Sequence, residues 1–409
     1  MIAQVIYLLF GTGVFLSFIN PMLGICFLTV SLLTYPETYA PLLEDYHINL
    51  VLSVVIFINS IARRIDFRKK NYLITFGIFL AFVFMSSFVG GFDDFILENY
   101  LYHYIKCFAL IFIMITYINT TKELLLLINT CVIICSLSAI MAVYQVLFLS
   151  IERGYGFGDN LDPNVFSSFI IAFTPLAYYL FLKAKNKLFR YFYLTLFVFM
   201  ITGVMASVSR AAFLAVLFIF FYIFIANIKK VTTILIVFII LSIFANFAFD
   251  KLKQRDTVQV SLSGKARLDH SASLRLYFWG NAINLWFRNP IFGVGTGNFP
   301  IASRKEFGAQ RLIGVHNSWL QVLSENGIIA FILLITMLTM SFKDLSRLKK
   351  HEDIIIRDLA KYLMVGLGGM LICSTFIGVA SYYFYWIVLT LPIVLENISH
   401  NKTEQLVRR

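Results

Sequence analysis

Residues 316–327 read His-Asn-Ser-Trp-Leu-Gln-Val-Leu-Ser-Glu-Asn-Gly. Leu320, Leu323 and Gly327 recur from His316 on one helical face, which puts the histidine at the start of an apolar helix. An imidazole gains or loses a proton near neutral pH, so it can act as a general base toward a hydroxyl. The plainer alternative is an interfacial histidine that caps the helix. Arg210 lies in Ser207-Val208-Ser209-Arg210-Ala211-Ala212, between two apolar runs. An arginine there is costly unless it faces a partner or a wet cavity. It reads either as a side chain snorkelling to the interface or as an anion clamp, because a guanidinium offers a fixed fork of donors and keeps its charge. Arg275, in Ser271-Ala272-Ser273-Leu274-Arg275, opens a second apolar helical stretch. It is a clamp candidate of the same kind, or one more solvated charge.

Two backbone motifs accompany them. Residues 290–299, Pro-Ile-Phe-Gly-Val-Gly-Thr-Gly-Asn-Phe, hold a Gly-x-Gly-x-Gly run without the strand–turn–helix context of a nucleotide fingerprint. A tight turn that lets a loop pack closely is the expected role, with a phosphate cradle of backbone amides as the other reading. Asp162-Pro163-Asn164 precedes an apolar run, as a helix cap with Pro in the first turn does. Either polar side chain of that motif, Asn164 included, can also face a cavity. No His or Asp set has metal-ligand spacing, no P-loop is present, and Cys26, Cys107, Cys131, Cys135 and Cys373 all fall in apolar runs without a disulfide or metal pattern. No cofactor and no metal are expected.

The elements that position these residues follow from composition. Of 409 residues, 59% are apolar and only 14% charged, against about 25% charged in a soluble domain. A water-soluble fold, a disordered chain and a fibre are thereby excluded, and a polytopic membrane protein remains. Apolar runs such as 124–149 and 231–249 are continuous rather than alternating, so the expectation is an all-α transmembrane helix bundle and not a barrel. About 12 spans are predicted, and those at 3–18 and 21–35 are short enough to form one hairpin. No basic region precedes the first run, so a cleavable signal is not expected.

Lys and Arg set the orientation. One set of short loops holds 20 of them, the opposite set only Arg153 and Arg210. The first set is assigned to the cytoplasm together with the C-terminus. The net charge of +12 is mostly this bias, and nucleic acid is not an expected partner. The predicted organisation is transmembrane helices over 1–249, a long extracytoplasmic loop over 250–315, C-terminal transmembrane helices over 316–395 and a cytoplasmic tail over 396–409. The long loop carries ten basic residues against four acids, and loops of that length escape the charge rule. Within it, 272–288 is expected to form a short amphipathic helix with Leu274, Tyr277, Phe278 and Leu285 toward the membrane or bundle.

From Ser271 to Gly327 the chain resembles the O-antigen ligase and O-antigen polymerase superfamily of bacterial membrane glycosyltransferases. The matching pieces are Arg275, Trp279, the Asn289-to-Phe299 turn, His316-Asn317 with Leu320 and Leu323, and Glu325-x-Gly327. Asp162-Pro163-Asn164 and Ser209-Arg210-Ala211 fall where that family's landmarks are expected. The resemblance implies an active site on the outer, periplasmic face of the bacterial inner membrane, and transfer of a glycan from undecaprenyl diphosphate to a sugar hydroxyl without metal or nucleotide sugar. A ligase takes the lipid A core as acceptor, and a polymerase takes another lipid-linked repeat unit. Arg210 and Arg275 would match the family's diphosphate-binding arginines and His316 its essential loop histidine, with Asn164 and Asn317 as further candidates for substrate contact. Ligase is the first reading, polymerase the second. A lipid-linked oligosaccharide flippase or other transporter is the rival from another class, disfavoured by the absence of an evident internal repeat.

Overall fold

The computed structural model describes residues 2–45, 47–61, 70–91, 100–157, 162–226, 270–309 and 312–407. The predicted span at 231–249 and the first part of the long loop lie outside the described residues. Every regular element among the described residues is helical. The first five main helices are α1 (Ile2–Ile19), α2 (Pro21–Thr34), α3 (Ile48–Ile61), α4 (Lys70–Gly90) and α5 (Tyr102–Tyr117). Then come α6 (Thr121–Leu147), α7 (Pro163–Lys183), α8 (Lys187–Ala206) and α9 (Arg210–Ala226). The long loop contributes α10 (His270–Arg288) and α11 (Phe299–Phe307), and α12 (Ser318–Leu348), α13 (Ile354–Ser374) and α14 (Tyr383–Val407) complete the bundle.

Local sequence explains where these helices begin. Thr120 and Glu123 form a capping box on α6, and Asn186, Asn317 and Asp353 cap α8, α12 and α13 through their side-chain oxygens. Each cap satisfies amide donors that the first helical turn leaves without partners. Six stretches among the described residues are long and apolar enough to cross a membrane: Leu42–Asn59, Asn71–Gly90, Thr121–Leu147, Pro163–Lys183, Lys187–Ala206 and Ser318–Leu348. The apolar helices Ala3–Ile19, Pro21–Thr34, Tyr102–Tyr117 and Arg210–Ile223 are shorter. At 14 residues α2 is about 21 Å long, less than the roughly 30 Å hydrocarbon core. It packs on α1 as the short hairpin partner, joined through the Asn20 cap and Pro21.

The bundle is organised around α7, which is buried along nearly all of its apolar length. It packs on α6, α8 and α13. Glycine makes two of the tight crossings: a Cβ on Gly366 would meet the Ala172 carbonyl oxygen at 2.3 Å, and one on Gly203 would meet Ala139 Cβ at 2.4 Å. Small residues at such crossings let backbones approach where lipid supplies no hydrophobic drive between helices. Trp386 of α14, fully buried, stacks edge-on against Phe76 and packs with Phe79 and Tyr104, joining α4, α5 and α14. Peripheral side chains such as Leu8, Phe148 and Leu188 are more than 70% exposed. So much exposed apolar surface on a helix bundle belongs against lipid, and the chain is a helical membrane protein.

The two ends of the bundle differ in chemistry. At one end Lys183 and Lys361 bind Asp358 at 2.7 and 3.0 Å, Lys402 binds Asp353 at 2.7 Å, and Arg347 joins Asp344 and the buried Glu396, which His400 also contacts at 2.8 Å. At the other end stand Arg153, Arg210, Arg275 and His316, carried by α9, α10 and the loops that join helices there.

Candidate active site at the His316 end of the bundle

His316 is placed by a small core of its own. Phe278, Ala282 and Leu285 of α10 pack with Phe299 of α11, Ala309 and Val315. The helix expected over 272–288 is thus present as His270–Arg288. Phe278 and Leu285 face inward and Leu274 packs partly, while Tyr277 is 42% exposed and its hydroxyl donates to the Phe307 carbonyl. Val315, 1% exposed, is the last residue of this core, and His316 follows it in a left-handed conformation, φ 52°. Non-glycine residues seldom adopt that region, though histidine does so more than most. Immediately after it Asn317 caps α12, its Oδ1 accepting from the amides of Trp319 and Leu320. Ser318 Oγ donates to the Ile377 carbonyl and accepts from the Val379 amide, pinning the helix start to the α13–α14 loop. The histidine is therefore held on both sides by buried residues. Asn317, 5% exposed, has its side-chain oxygen committed to the cap.

Charges converge on this imidazole. Burial pushes His316 below the ordinary imidazole range, the Asp162 carboxylate works against that, and the Arg275 guanidinium adds to the lowering. The structure thus brings Asp162 and Arg275 each into electrostatic reach of His316. Tyr382, on the loop before α14, joins them: burial and then the Asp162 carboxylate raise its phenol. Asp162 caps α7, its Oδ1 accepting from both the amide and the side-chain Nδ2 of Asn164, at 2.6 and 2.7 Å. Asn164 Oδ1 in turn accepts from an Arg153 guanidinium nitrogen at 2.9 Å, and Arg153 Nε donates to the Ser207 carbonyl at 2.9 Å. Ser207 begins the turn that ends at Arg210. Val208, in that turn, also has positive φ, 49°, a marked outlier for a β-branched residue. Arg210 itself opens α9, exposed at the same end. The hydrogen-bonded chain from Asp162 through Asn164 and Arg153 ends on Ser207, three residues before Arg210.

The glycine run is a turn inserted into a broken helix. Gly293, Gly295 and Gly297 all have positive φ, and Gly327 interrupts α12 with φ 78° and ψ −177°. The break strands backbone groups, and the turn satisfies them. Val294 and Gly295 amides donate to the Ser324 and Glu325 carbonyls, and the Ile328 amide donates to the Pro290 carbonyl, each at 2.9 Å. Irregular backbone inside a membrane bundle persists only where protein or water pairs it in this way. Side chains reinforce the contact. Ser86 Oγ donates to the Glu325 carbonyl at 2.5 Å, Asn326 Nδ2 donates to Thr296 Oγ1 at 2.6 Å, and the Gly297 and Phe299 amides bind the Glu325 carboxylate. A Cβ on Gly327 would lie 2.0 Å from the Ile291 carbonyl oxygen, in a conformation that L side chains rarely adopt. Gly327→Ala is therefore expected to destabilise the protein by about 3 kcal/mol or more. Thermal unfolding in detergent measures it, and an unchanged midpoint would contradict the wedge.

Three of these partners were not legible as such in the sequence. Asp162 was visible as a cap that can also face a cavity, Arg153 only as an outer-loop charge, and Glu325 only as part of a motif. The buried acid inside an apolar run was a signal for Glu325. Nothing in local spacing pointed to the pairing of Arg153 with Asn164 and Ser207.

These features define a multi-pass helical membrane protein with a histidine, a carboxylate and arginines gathered at one end, built partly from a loop folded onto the helices. The family model of O-antigen ligase matches residues 195–335, about a third of the chain. That stretch runs from α8 into α12 and includes Arg210, Arg275, the glycine turn, His316 and the helix break, and the match supports the resemblance to the O-antigen ligase and polymerase superfamily. No curated protein matches the chain.

Proposed function

We propose that the protein transfers a glycan from undecaprenyl diphosphate to a sugar hydroxyl in surface polysaccharide assembly, as a ligase acting on the lipid A core. The observation that supports this reading is His316, held at the start of α12 by the Val315 core and the Asn317 cap and acted on by the charges of Asp162 and Arg275, within the stretch that the O-antigen ligase family model matches. In the reaction, the neutral His316 imidazole takes the acceptor hydroxyl proton as the oxygen attacks the anomeric carbon. The glycosyl–oxygen bond to the diphosphate breaks, and the diphosphate leaves with the bonding pair. Arg210 and Arg275 stabilise the charge that develops on the leaving group, the electrostatic role that usually contributes most. Asn164 orients Asp162, and Asn317 fixes the start of the helix behind the base. The bundle crosses the inner membrane about 12 times, with this site on the periplasmic face and the ion-paired end of α7, α12 and α14 in the cytoplasm, consistent with the excess of Lys and Arg there.

The polysaccharide profile of a deletion strain tests the assignment. A ligase defect leaves full-length polymer on the carrier lipid. A polymerase defect leaves single repeat units on the lipid A core and redirects the assignment within the superfamily. An unaltered profile contradicts both.

The pH dependence carries a sign. The base works when neutral, and burial with Arg275 keeps it neutral to lower pH, while Asp162 opposes them. Asp162→Asn retains a good helix cap but removes the charge that raises the imidazole. The acid limb of the transfer rate then moves to lower pH, and the rate at neutral pH falls because the base is weaker. Transfer measured in membranes from about pH 5 to 8 reads this, and a limb that stays put or moves upward contradicts the contact.

A further inference from the structure

Arg153 lies in the loop between α6 and α7, and that loop is built to hold it still. Gln145 grips the loop from α6: its Nε2 donates to the Gly156 carbonyl, and its Oε1 accepts from the Tyr155 and Gly156 amides. Ser138 Oγ accepts from the Phe157 amide, and the Gly154 amide donates to the Ala206 carbonyl at 2.9 Å. The Gly154 position is crowded, since a Cβ there would meet the Ala142 carbonyl oxygen at 2.4 Å. From this anchored backbone the Arg153 guanidinium spans two elements. It reaches Ser207 after α8 with Nε and Asn164 at the start of α7 with a terminal nitrogen.

We propose that Arg153 is a positioning residue that ties the Asp162–Asn164 turn to the Ser207–Arg210 turn, and so fixes the carboxylate facing His316 and the backbone presenting Arg210 in one arrangement. The hydrogen-bond chemistry dictates the direction of the effect. A guanidinium can only donate, so it forces Asn164 to present Oδ1 to it and Nδ2 to Asp162. Asp162 Oδ1 then receives two donors from Asn164, and its position is set. On the other side the Ser207 carbonyl, at the end of α8, has lost its helical partner to the turn, and Arg153 Nε supplies one. The turn that follows holds Val208 at φ 49°, a conformation that persists only where its surroundings enforce it. Lysine in place of arginine keeps the charge, yet its compact ammonium cannot span two acceptors in fixed directions.

The proposal rests on the transferase reading, and its test separates the two. Arg153→Met, Arg153→Lys, Asn164→Ala and the double variant Arg153→Met/Asn164→Ala are expressed in the deletion strain beside His316→Ala. Glycan transfer in isolated membranes is measured per unit of protein, with the strain's own lipid-linked glycan as donor. Arg153→Met is expected to lower transfer roughly 10- to 100-fold, the scale on which displaced catalytic geometry acts. Arg153→Lys is expected to recover part of that loss. The double variant is expected to be no worse than Arg153→Met, because both changes cut the same link to Asp162. The acid limb in Arg153→Met is expected to move to lower pH, since of the groups facing His316 and Tyr382 it is Asp162 that drifts while Arg275 stays. Full transfer by Arg153→Met, losses that multiply in the double variant, or complete recovery with Arg153→Lys each overturn the proposal. If Arg153→Met fails to accumulate, Arg153→Lys decides alone: wild-type transfer and an unmoved limb overturn it. If His316→Ala transfers normally, the transferase reading fails. If His316→Ala is inactive and Arg153→Met is unaffected, only the positioning role fails.

Discussion

Replacing His316 with Ala is expected to lower glycan transfer about 100- to 10,000-fold, the span that a positioned general base contributes. The protein should still insert and accumulate, because the neighbours that build this corner remain: Val315 in the loop core, Asn317 on the cap and Ser318 bonded to the α13–α14 loop. Alanine has its own cost at φ 52°, about 1–2 kcal/mol in the left-handed region, so His316→Asn is the sharper variant. Asparagine tolerates that backbone but cannot accept a proton near neutral pH. Both variants should be equally inactive if the imidazole is the base. Transfer that survives in His316→Asn would reduce His316 to a structural corner, and a carrier or scaffold would be indifferent to either change.

What the sequence made legible divides by range. Continuous apolar runs are local, and those at 3–18, 21–35 and 124–149 reappear as α1, α2 and α6, while the run at 231–249 lies outside the described residues. The α10 amphipathic pattern was also local, and Phe278 and Leu285 turn inward as their spacing requires. Tyr277 does not, because α10 docks on α11 and α12 rather than lying flat, and its hydroxyl reaches Phe307 instead. The glycine run was readable as a turn because only glycine accepts three positive φ angles in five residues. Its destination was not readable. The turn fills a break in α12 at Gly327, and the sequence there reads as an uninterrupted helical face.

The candidate site shows the same division more sharply. Each charged residue was visible, but the electrostatic pairing of Asp162 with His316 joins positions about 150 residues apart. No periodicity relates α7 to the loop before α12. The Arg153 bridge is similarly non-local, linking a loop, a helix cap and the end of α8. Charge counting treated that arginine as one of two outer exceptions and is silent about contacts. Electrostatic roles inside a folded site depend on distance and burial, neither of which a residue's own neighbours in sequence encode.

Arg275 permits the most exposed expectation. Arg275→Ala should reduce transfer by roughly 30- to 1000-fold, about 2–4 kcal/mol of transition-state stabilisation, and Arg275→Lys should fall nearly as far. A diphosphate presents several oxygens, and a guanidinium engages two at once in a fixed fork, whereas lysine offers a point charge on a flexible stem. Neither change should affect protein level, since Arg275 is not part of the Phe278–Leu285–Phe299 core that holds α10 in place. The two variants separate charge from geometry a second way. Arg275 lowers the His316 imidazole, so Arg275→Ala should move the acid limb of transfer upward, while Arg275→Lys, still cationic, should leave it closer to the parent's. Transfer rates for both variants across pH, normalised to protein amount, read both effects together. Two nearly silent variants would make Arg275 one solvated charge among the ten of the loop. Activity restored by lysine would mean that positive charge suffices and the fork does not matter. Either result leaves Arg210 to hold the diphosphate, positioned by the turn that Arg153 fastens.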